Sequence, residues 1–398
     1  MGHTTYEQVS TDFGSMQSLL LSRYLQGFTM NMLAFLRTSR SFALTMLSCL
    51  LIVALSSYQA QAQSKPSTAK EKVTIAIGTE VLDASQVNNT SLPTYTKCWE
   101  KEGLDVTLQP TNSTTAMQAV LSGQADFVNM GPAAAIIARS KGAPIKAVYL
   151  NMRHNFQFPV VLDSSPIKTL ADFKGKTIGV ASYGAQMVQI FRGMLSEAGL
   201  NPDKDVTFVE TGTGAQAISA LVHGKVDIWG TWDSQIATAE NQGIKLRRFS
   251  SPFAEKLNFG GSYFVRDDMI SKRPRVIEKT LRCVAMGSLT ALTNPQGALK
   301  VHWQVFPLTK PSSLDDATAI RQGLHIINTR NDFLKLEPGV QWGEIPASAV
   351  ANMVAFMKAG NVIQTSPKLE DLYTNQFIAA INDFDHPKVI AAAKALPQ

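Results

Sequence analysis

Two polar segments stand where helices are predicted to begin, and their residue types are those that bind anions. The segments consist of Ser113, Thr114 and Thr115 and, later in the chain, of Gly212, Thr213 and Gly214. The first turn of a helix has unpaired backbone N–H groups that attract negative charge, and glycine lets a ligand approach the backbone closely. Ordinary helix capping explains these residues about as well, so both interpretations stay open.

Two tryptophans and a carboxylate follow a short predicted strand in the second half. Trp229, Trp232 and Asp233 lie beside Gly230 and Thr231. At the edge of a cleft, a tryptophan stacks on a flat or cationic ligand, and Asp233 can accept a hydrogen bond from an amine. We favour Trp232 over Trp229 as a contact, because Trp229 also fits the core of its strand. Asp233 fits equally well as a helix cap.

Four further candidates come directly after predicted strands: Thr79, Asn129, Ser182 and Tyr183. They are polar, and ligands of α/β proteins bind outside the carboxyl ends of the strands. Asn155 and Gln157 lie near the segment that joins the two halves and are additional candidates for the cleft.

Catalytic and metal-binding patterns are not found in the sequence. It has no G-x-x-x-x-G-K-[ST] loop and no G-x-S-x-G turn, and its histidines are scattered without a His or Cys at metal-ligand spacing. Asp126 and Asp227 begin short predicted strands, which indicates turn or cap roles rather than acid–base chemistry. We therefore expect no catalytic residue, no metal and no cofactor, and a protein that is not an enzyme.

An internal repeat positions these candidates. An apolar helical face and the glycine that ends it occur twice, as Ala116, Met117, Val120, Leu121 and Gly123, and as Ala217, Ile218, Leu221, Val222 and Gly224. In each copy strands and helices alternate, which predicts a parallel sheet covered by helices. Two copies predict two lobes with a cleft between them, although a single larger α/β domain with a tandem duplication is the alternative.

Two extended segments, Gln157–Leu162 and Gly260–Val265, are predicted to cross between the halves as a hinge. We accordingly assign residues 70–158 to the first part of lobe 1 and residues 159–259 to lobe 2. Residues 260–398 then return to lobe 1 and form C-terminal helices.

Residues 1–62 are predicted to be an upstream extension and a signal peptide. Arg37 and Arg40 precede the apolar run 42–55, and Ala60 and Ala62 form an A-x-A cleavage pattern. The run is shorter than the roughly 20 residues that span a membrane, so we predict export with cleavage after Ala62. An uncleaved anchor is the alternative.

The composition excludes several classes of protein. Hydrophobic residues make up 45% of the chain, which is enough for a core, and the net charge of +6 is not clustered as nucleic-acid binding requires. After cleavage, two of the three cysteines remain, Cys98 and Cys283. They can pair in an oxidising compartment or remain as two buried free thiols.

Several stretches resemble the periplasmic substrate-binding proteins of ABC importers, in the branch that binds sulfonates, taurine, nitrate and thiamine precursors. The resemblance rests on residues 169–180 (TLADFKGKTIGV), on Gly123–Asp126, on the spacing of Gly224 and Asp227, and on Trp232-Asp233, where Ser234 replaces the usual proline. It implies an α/β type II fold, with two lobes of mostly parallel sheet, flanking helices and two crossing hinge strands.

The resemblance also implies a function. We expect an extracytoplasmic, monomeric protein that captures a small organic ligand, sulfonate-like or taurine-like, and delivers it to a permease in the inner membrane, with no nucleic-acid partner. The alternatives are a binder of a nitrogenous heterocycle, such as a thiamine-precursor pyrimidine, and a pyrimidine-synthase-like enzyme. That enzyme requires a cysteine-rich motif, which this sequence does not have.

Overall fold

Two five-stranded sheets organise the chain in the computed structural model, which describes residues 69–80, 82–252 and 254–397. The strands of the first sheet are β1 (Glu71–Ile77), β2 (Leu104–Pro110), β3 (Phe127–Met130), β4 (Ile145–Leu150) and β10 (Ser262–Arg266). Their order in the sheet is β2-β1-β3-β10-β4. The strands of the second sheet are β5 (Gln157–Leu162), β6 (Lys176–Val180), β7 (Val206–Glu210), β8 (Ile228–Trp232) and β9 (Leu246–Arg248). Their order is β7-β6-β8-β5-β9.

The two sheets have the same internal order, as a duplicated unit requires. In the first sheet β1 pairs in parallel with β2 and β3, and in the second β6 pairs in parallel with β7 and β8. The strand that enters from the other half, β10 or β5, runs antiparallel to both of its neighbours. Each sheet is therefore mixed, and the predicted two-lobed α/β fold is confirmed.

Helices cover the sheets. Those between the strands of the first sheet are α1 (Ser91–Tyr95), α2 (Cys98–Lys101), α3 (Ser113–Ser122) and α4 (Ala133–Ser140). Those of the second sheet are α5 (Gln186–Glu197), α6 (Ala215–Val222) and α7 (Asp233–Asn241). Short 3-10 helices lie at Ala84–Gln86, Leu170–Phe173, Ala254–Lys256 and Pro307–Thr309.

The repeated residues have equivalent roles in the two lobes. Gly123 caps α3 in a left-handed conformation that favours glycine, and Gly224 adopts the same conformation just after α6. Asp126 accepts the Thr74 backbone N–H at 2.8 Å, and Asp227 accepts the Thr177 backbone N–H at the same distance. Each carboxylate links two neighbouring strands of its own sheet by this hydrogen bond, and the two do not form an acid–base pair.

Two chain connections join the lobes. Residues 151–156 lead from β4 to β5, and residues 249–261 lead back from β9 to β10. The connections are hydrogen-bonded to each other, since Gly261 O accepts the N–H groups of Asn151 and Met152, and Gly260 N donates to Met152 O. The crossing therefore lies just before the predicted hinge segments, since Gln157–Leu162 forms β5 within the second sheet and Gly260–Val265 leads into β10 of the first.

The C-terminal part is helical and contacts both lobes. Its helices are α8 (Asp267–Lys272), α9 (Pro274–Thr293), α10 (Pro295–Val305), α11 (Asp316–Leu334), α12 (Ala347–Ala359), α13 (Leu369–Leu372), α14 (Ile378–Ile381) and α15 (His386–Lys394). Helix α9 begins with a proline, which suits the first turn, and buries its apolar face. Helix α11 packs against α7 of the second lobe, and α12 packs against α5.

A disulfide joins Cys98 on α2 to Cys283 on α9, with the two Cα atoms 5.7 Å apart. Of the two alternatives for these cysteines, the structure therefore contains the bonded form. The predicted signal peptide and its cleavage site after Ala62 lie outside the described residues. Among the helices that the structure describes, none has both the length and the hydropathy of a membrane span.

Candidate functional site

A cavity lies between the two lobes, with about 860 Å³ of empty space including the solvent at its mouth. Its walls consist of the loops that follow β1, β3, β6 and β7, the end of β8, the starts of α3 and α5, and both chain connections, together with residues of the segment 85–89 and Arg330 of α11. These loops lie at the carboxyl ends of parallel strands, which is where α/β proteins bind ligands. Contact from both lobes means that a ligand here would be enclosed when the lobes close.

Apart from the additional candidates Asn155 and Gln157, six of the twelve residues proposed from the sequence line this cavity: Thr79, Ser113, Asn129, Ser182, Thr213 and Trp232. Ser113 donates its hydroxyl to Gly78 O at 3.1 Å, and the Trp232 indole N–H donates to Ser234 Oγ at 3.0 Å. Asn129 accepts from Asn89 at 3.3 Å. Their own hydrogen bonds hold these side chains in place, and whether they bind a ligand stays a prediction.

The other six proposed residues lie away from the cavity walls. Thr114 and Thr115 are exposed on α3, whose cap is the Asn112 side chain. Gly212 has a left-handed backbone with a φ of 68°, and Tyr183 is exposed, with its backbone N–H donating to Glu210. Trp229 is buried in the core of the second lobe, and Asp233 is buried in an ion pair.

Asp233 pairs with Arg330 from α11. The Arg330 Nε donates to Asp233 Oδ2 at 2.7 Å, and Nη2 donates to the other carboxylate oxygen. The Asp233 side chain is 0% exposed and that of Arg330 is 8% exposed. Burial raises the pKa of Asp233, while Arg330 and the Ser234 backbone N–H oppose that rise. Both carboxylate oxygens accept hydrogen bonds from the guanidinium, which has no atom that could accept a hydrogen bond from a protonated carboxyl group. The carboxylate is therefore ionised.

Arg330 itself forms part of the cavity wall. Its Nη1 lies 3.1 Å from the Met152 sulfur, and its Cζ lies 5.1 Å from the centre of the Phe156 ring. Sequence reasoning missed Arg330, Met152 and Phe156, because no local pattern relates α11 to the connection between the lobes.

Three glutamines of the cavity wall have a buried side-chain oxygen without a hydrogen-bond donor: Gln86, Gln157 and Gln186. Gln86 belongs to the first lobe, Gln157 begins the crossing strand β5, and Gln186 begins α5. A buried acceptor without a donor costs free energy, so we expect a bound ligand to donate hydrogen bonds to these oxygens. Of the three, only Gln157 was a candidate from the sequence. Asn155, the other candidate beside it, instead donates to Gln157 O at 2.9 Å in a local turn.

The lobes approach each other closely around the cavity. A Cβ placed on Gly131 would lie 2.7 Å from the Cβ of Gln186, and one on Gly184 would lie 2.3 Å from Thr114 Oγ1. Asp83 of the first lobe accepts from Ser234 at 3.2 Å and from Gln235 at 3.3 Å, at the start of α7 in the second lobe. The structure therefore shows the lobes in contact.

A family model described as NMT1/THI5 like matches residues 98–298, just over half of the chain. The chain belongs to this family. It is 26% identical over 206 residues to a binding protein of Brucella abortus, an overlap that covers 51% of this chain and 62% of that relative. It is 30% identical over 131 residues to a protein of Escherichia coli named for binding aliphatic sulfonates, which covers 32% of this chain and 39% of the relative.

Solved structures share the fold of this NMT1/THI5-like chain. The periplasmic aliphatic sulphonate binding protein of Escherichia coli matches with a TM-score of 0.57 at 17% identity, over 77% of this chain and 93% of the other. A desulfurization enzyme also matches, with a TM-score of 0.51 at 13% identity, over 78% of this chain and 99% of the other. At such identities the likeness shows the fold alone, and the fold serves both binding proteins and an enzyme.

Proposed function

We propose that the chain is the extracytoplasmic solute-binding component of an ABC importer. It captures a small organic ligand with a sulfonate-like or taurine-like group between its lobes and delivers it to a permease. The observation that carries this proposal is the cavity itself, which is walled by both lobes and by the two connections that join them. The names of the relatives, which are binding proteins, support it.

The direct test is a titration of the purified protein with taurine and with short alkanesulfonates, followed by calorimetry and by thermal melting. A ligand at 100 times its dissociation constant adds about 2.7 kcal/mol to the free energy of unfolding. If none of these compounds produces heat or shifts the melting curve, the proposal of a sulfonate ligand is wrong.

A pair of variants ties binding to the cavity. We expect Gln186→Ala to weaken ligand binding, because it removes a side chain of the cavity wall that is 4% exposed. Gln124→Ala is the matched control, since Gln124 is exposed and lies outside the cavity wall. Equal affinities in the two variants would mean that the ligand binds elsewhere.

A nitrogenous heterocycle is the second candidate ligand. The half-buried Trp232 in the cavity wall favours it, because an indole face stacks on a flat ring. Adding an aminopyrimidine to the same titration separates the two ligand classes, and analysis of the mixture for a new product tests the enzymatic alternative. The permease, the monomeric state and export through cleavage after Ala62 stay predictions.

A further inference from the structure

The cation of the described cavity wall is already paired before a ligand binds. Among the described residues of the wall, the ionisable side chains are Arg330 and Glu80, and Glu80 is exposed at the rim. The ionised carboxylate of Asp233, which does not line the cavity, neutralises Arg330 through two hydrogen bonds. A ligand with a single negative charge would therefore find no unpaired cation in this part of the chain.

Arg330 lines the cavity and nevertheless keeps hydrogen-bonding capacity that its ion pair does not use. Of the five N–H donors of a guanidinium, two are used by Asp233 and a third faces the Met152 sulfur. Helix α5 also begins in the wall, at Ala185–Met187, and no side chain caps it. An anionic group can thus be hydrogen-bonded here, although its charge is not neutralised by the wall.

The cavity wall also contains hydrogen-bond acceptors that have no donor. The buried oxygens of Gln86, Gln157 and Gln186 accept hydrogen bonds and receive none. Gln157 and Gln186 are only 6% and 4% exposed, so bulk water does not readily satisfy them. An ammonium group supplies three donors and a positive charge, whereas a plain alkanesulfonate supplies neither.

We propose that the cavity selects a zwitterion, a ligand with both an ammonium and a sulfonate group and no net charge, and that Asp233 sets this selectivity by neutralising Arg330. This inference rests on the proposed function and adds to it the charge class of the ligand. Asp233 acts through Arg330 and does not line the cavity, so it is a positioning residue rather than a ligand contact.

Three sulfonates with the same two-carbon chain test the proposal by calorimetry at neutral pH and constant ionic strength. Taurine is a zwitterion with donors, isethionate is an anion with one O–H donor, and ethanesulfonate is an anion without a donor. We expect taurine to bind about tenfold or more tightly than isethionate, and isethionate more tightly than ethanesulfonate. Ethanesulfonate binding as tightly as taurine would overturn the inference and leave the proposed function standing.

Failure of all three sulfonates would overturn the proposed sulfonate ligand and the inference with it, because taurine is the zwitterion that the inference names.

The variant Asp233→Asn tests the cause of the selectivity. It keeps the shape of the side chain and leaves Arg330 with an uncompensated charge, so we expect the preference for taurine over ethanesulfonate to fall about tenfold or to reverse. The control is Asp163→Asn, which breaks the exposed pair with Arg247 far from the cavity wall and should keep the preference. An unchanged preference in a folded Asp233→Asn protein contradicts the proposed role. If that variant does not fold, the ligand series on the unaltered protein decides the question.

Discussion

Acid should destabilise this protein through one buried histidine. His302 on α10 is 0% exposed, and its Nδ1 lies 3.0 Å from the Ser91 hydroxyl at the start of α1. Burial lowers the pKa of His302 from 6.5 to about 4, although the charge of Asp83 and the Leu82 carbonyl oppose the shift. The imidazole is therefore neutral in the folded chain at a pH where the unfolded chain binds a proton.

The size and direction of the effect follow from that difference. The contribution of His302 to stability is complete above pH 6.5, decreases as the pH falls, and is fully lost once the pH is below about 4. The full loss corresponds to about 3 kcal/mol, and about 2 kcal/mol of it falls between pH 7 and pH 5.

Urea unfolding at pH 7 and pH 5, followed by tryptophan fluorescence with the disulfide intact, measures this loss. The variant His302→Asn is less stable at both pH values, because it loses packing, but its decrease between them should be about 2 kcal/mol smaller than that of the unaltered protein. The control His223→Asn changes an exposed histidine and should keep the full decrease. If His302→Asn and the unaltered protein show the same pH dependence, the argument from burial is refuted.

Two further perturbations test closure and covalent stabilisation. Gly131→Ala places a Cβ 2.7 Å from the Cβ of Gln186 across the cavity, so ligand affinity should fall about tenfold or more, whereas Gly360→Ala, with its nearest neighbour at 3.5 Å, should not change it. Equal affinities would mean that the lobes do not approach at Gly131. Replacing Cys98 and Cys283 by serine opens a link across 185 residues and should lower the free energy of unfolding by about 3–5 kcal/mol in urea titrations, with ligand affinity retained. A loss below about 1 kcal/mol would contradict the loop-entropy estimate.

The parts of the fold that the sequence predicts are those set by local pattern. The repeated helical faces and the glycines after them indicate the two βα units, because both signals lie within a single element and its cap. Ser113 and Thr213 stand at equivalent strand ends and both line the cavity. Trp229 and Trp232 are three positions apart on β8, so their side chains point to opposite faces, which places one in the core and the other at the cavity.

Contacts made across long separations could not be predicted in the same way. Arg330 reaches Asp233 from 97 positions away, and nothing beside Asp233 in the sequence distinguishes a ligand-binding carboxylate from one that is already paired. Gln86 lies in the segment between β1 and α1, for which the repeat offers no guide, and its role emerges only when the chain brings it beside the second lobe.

The first turn of α7 connects the charge of the cavity with the contact between the lobes. Asp233 in this turn holds Arg330 of α11, while the next two residues, Ser234 and Gln235, donate to Asp83 of the first lobe. Two carboxylates thus meet the positive end of one helix, where the helix dipole favours them. Because the neutralising carboxylate and the interlobe hydrogen bonds share one turn, a displacement of α7 that separates the lobes also disturbs the partner of Arg330. We therefore expect the proposed charge selection to depend on the closed arrangement of the lobes.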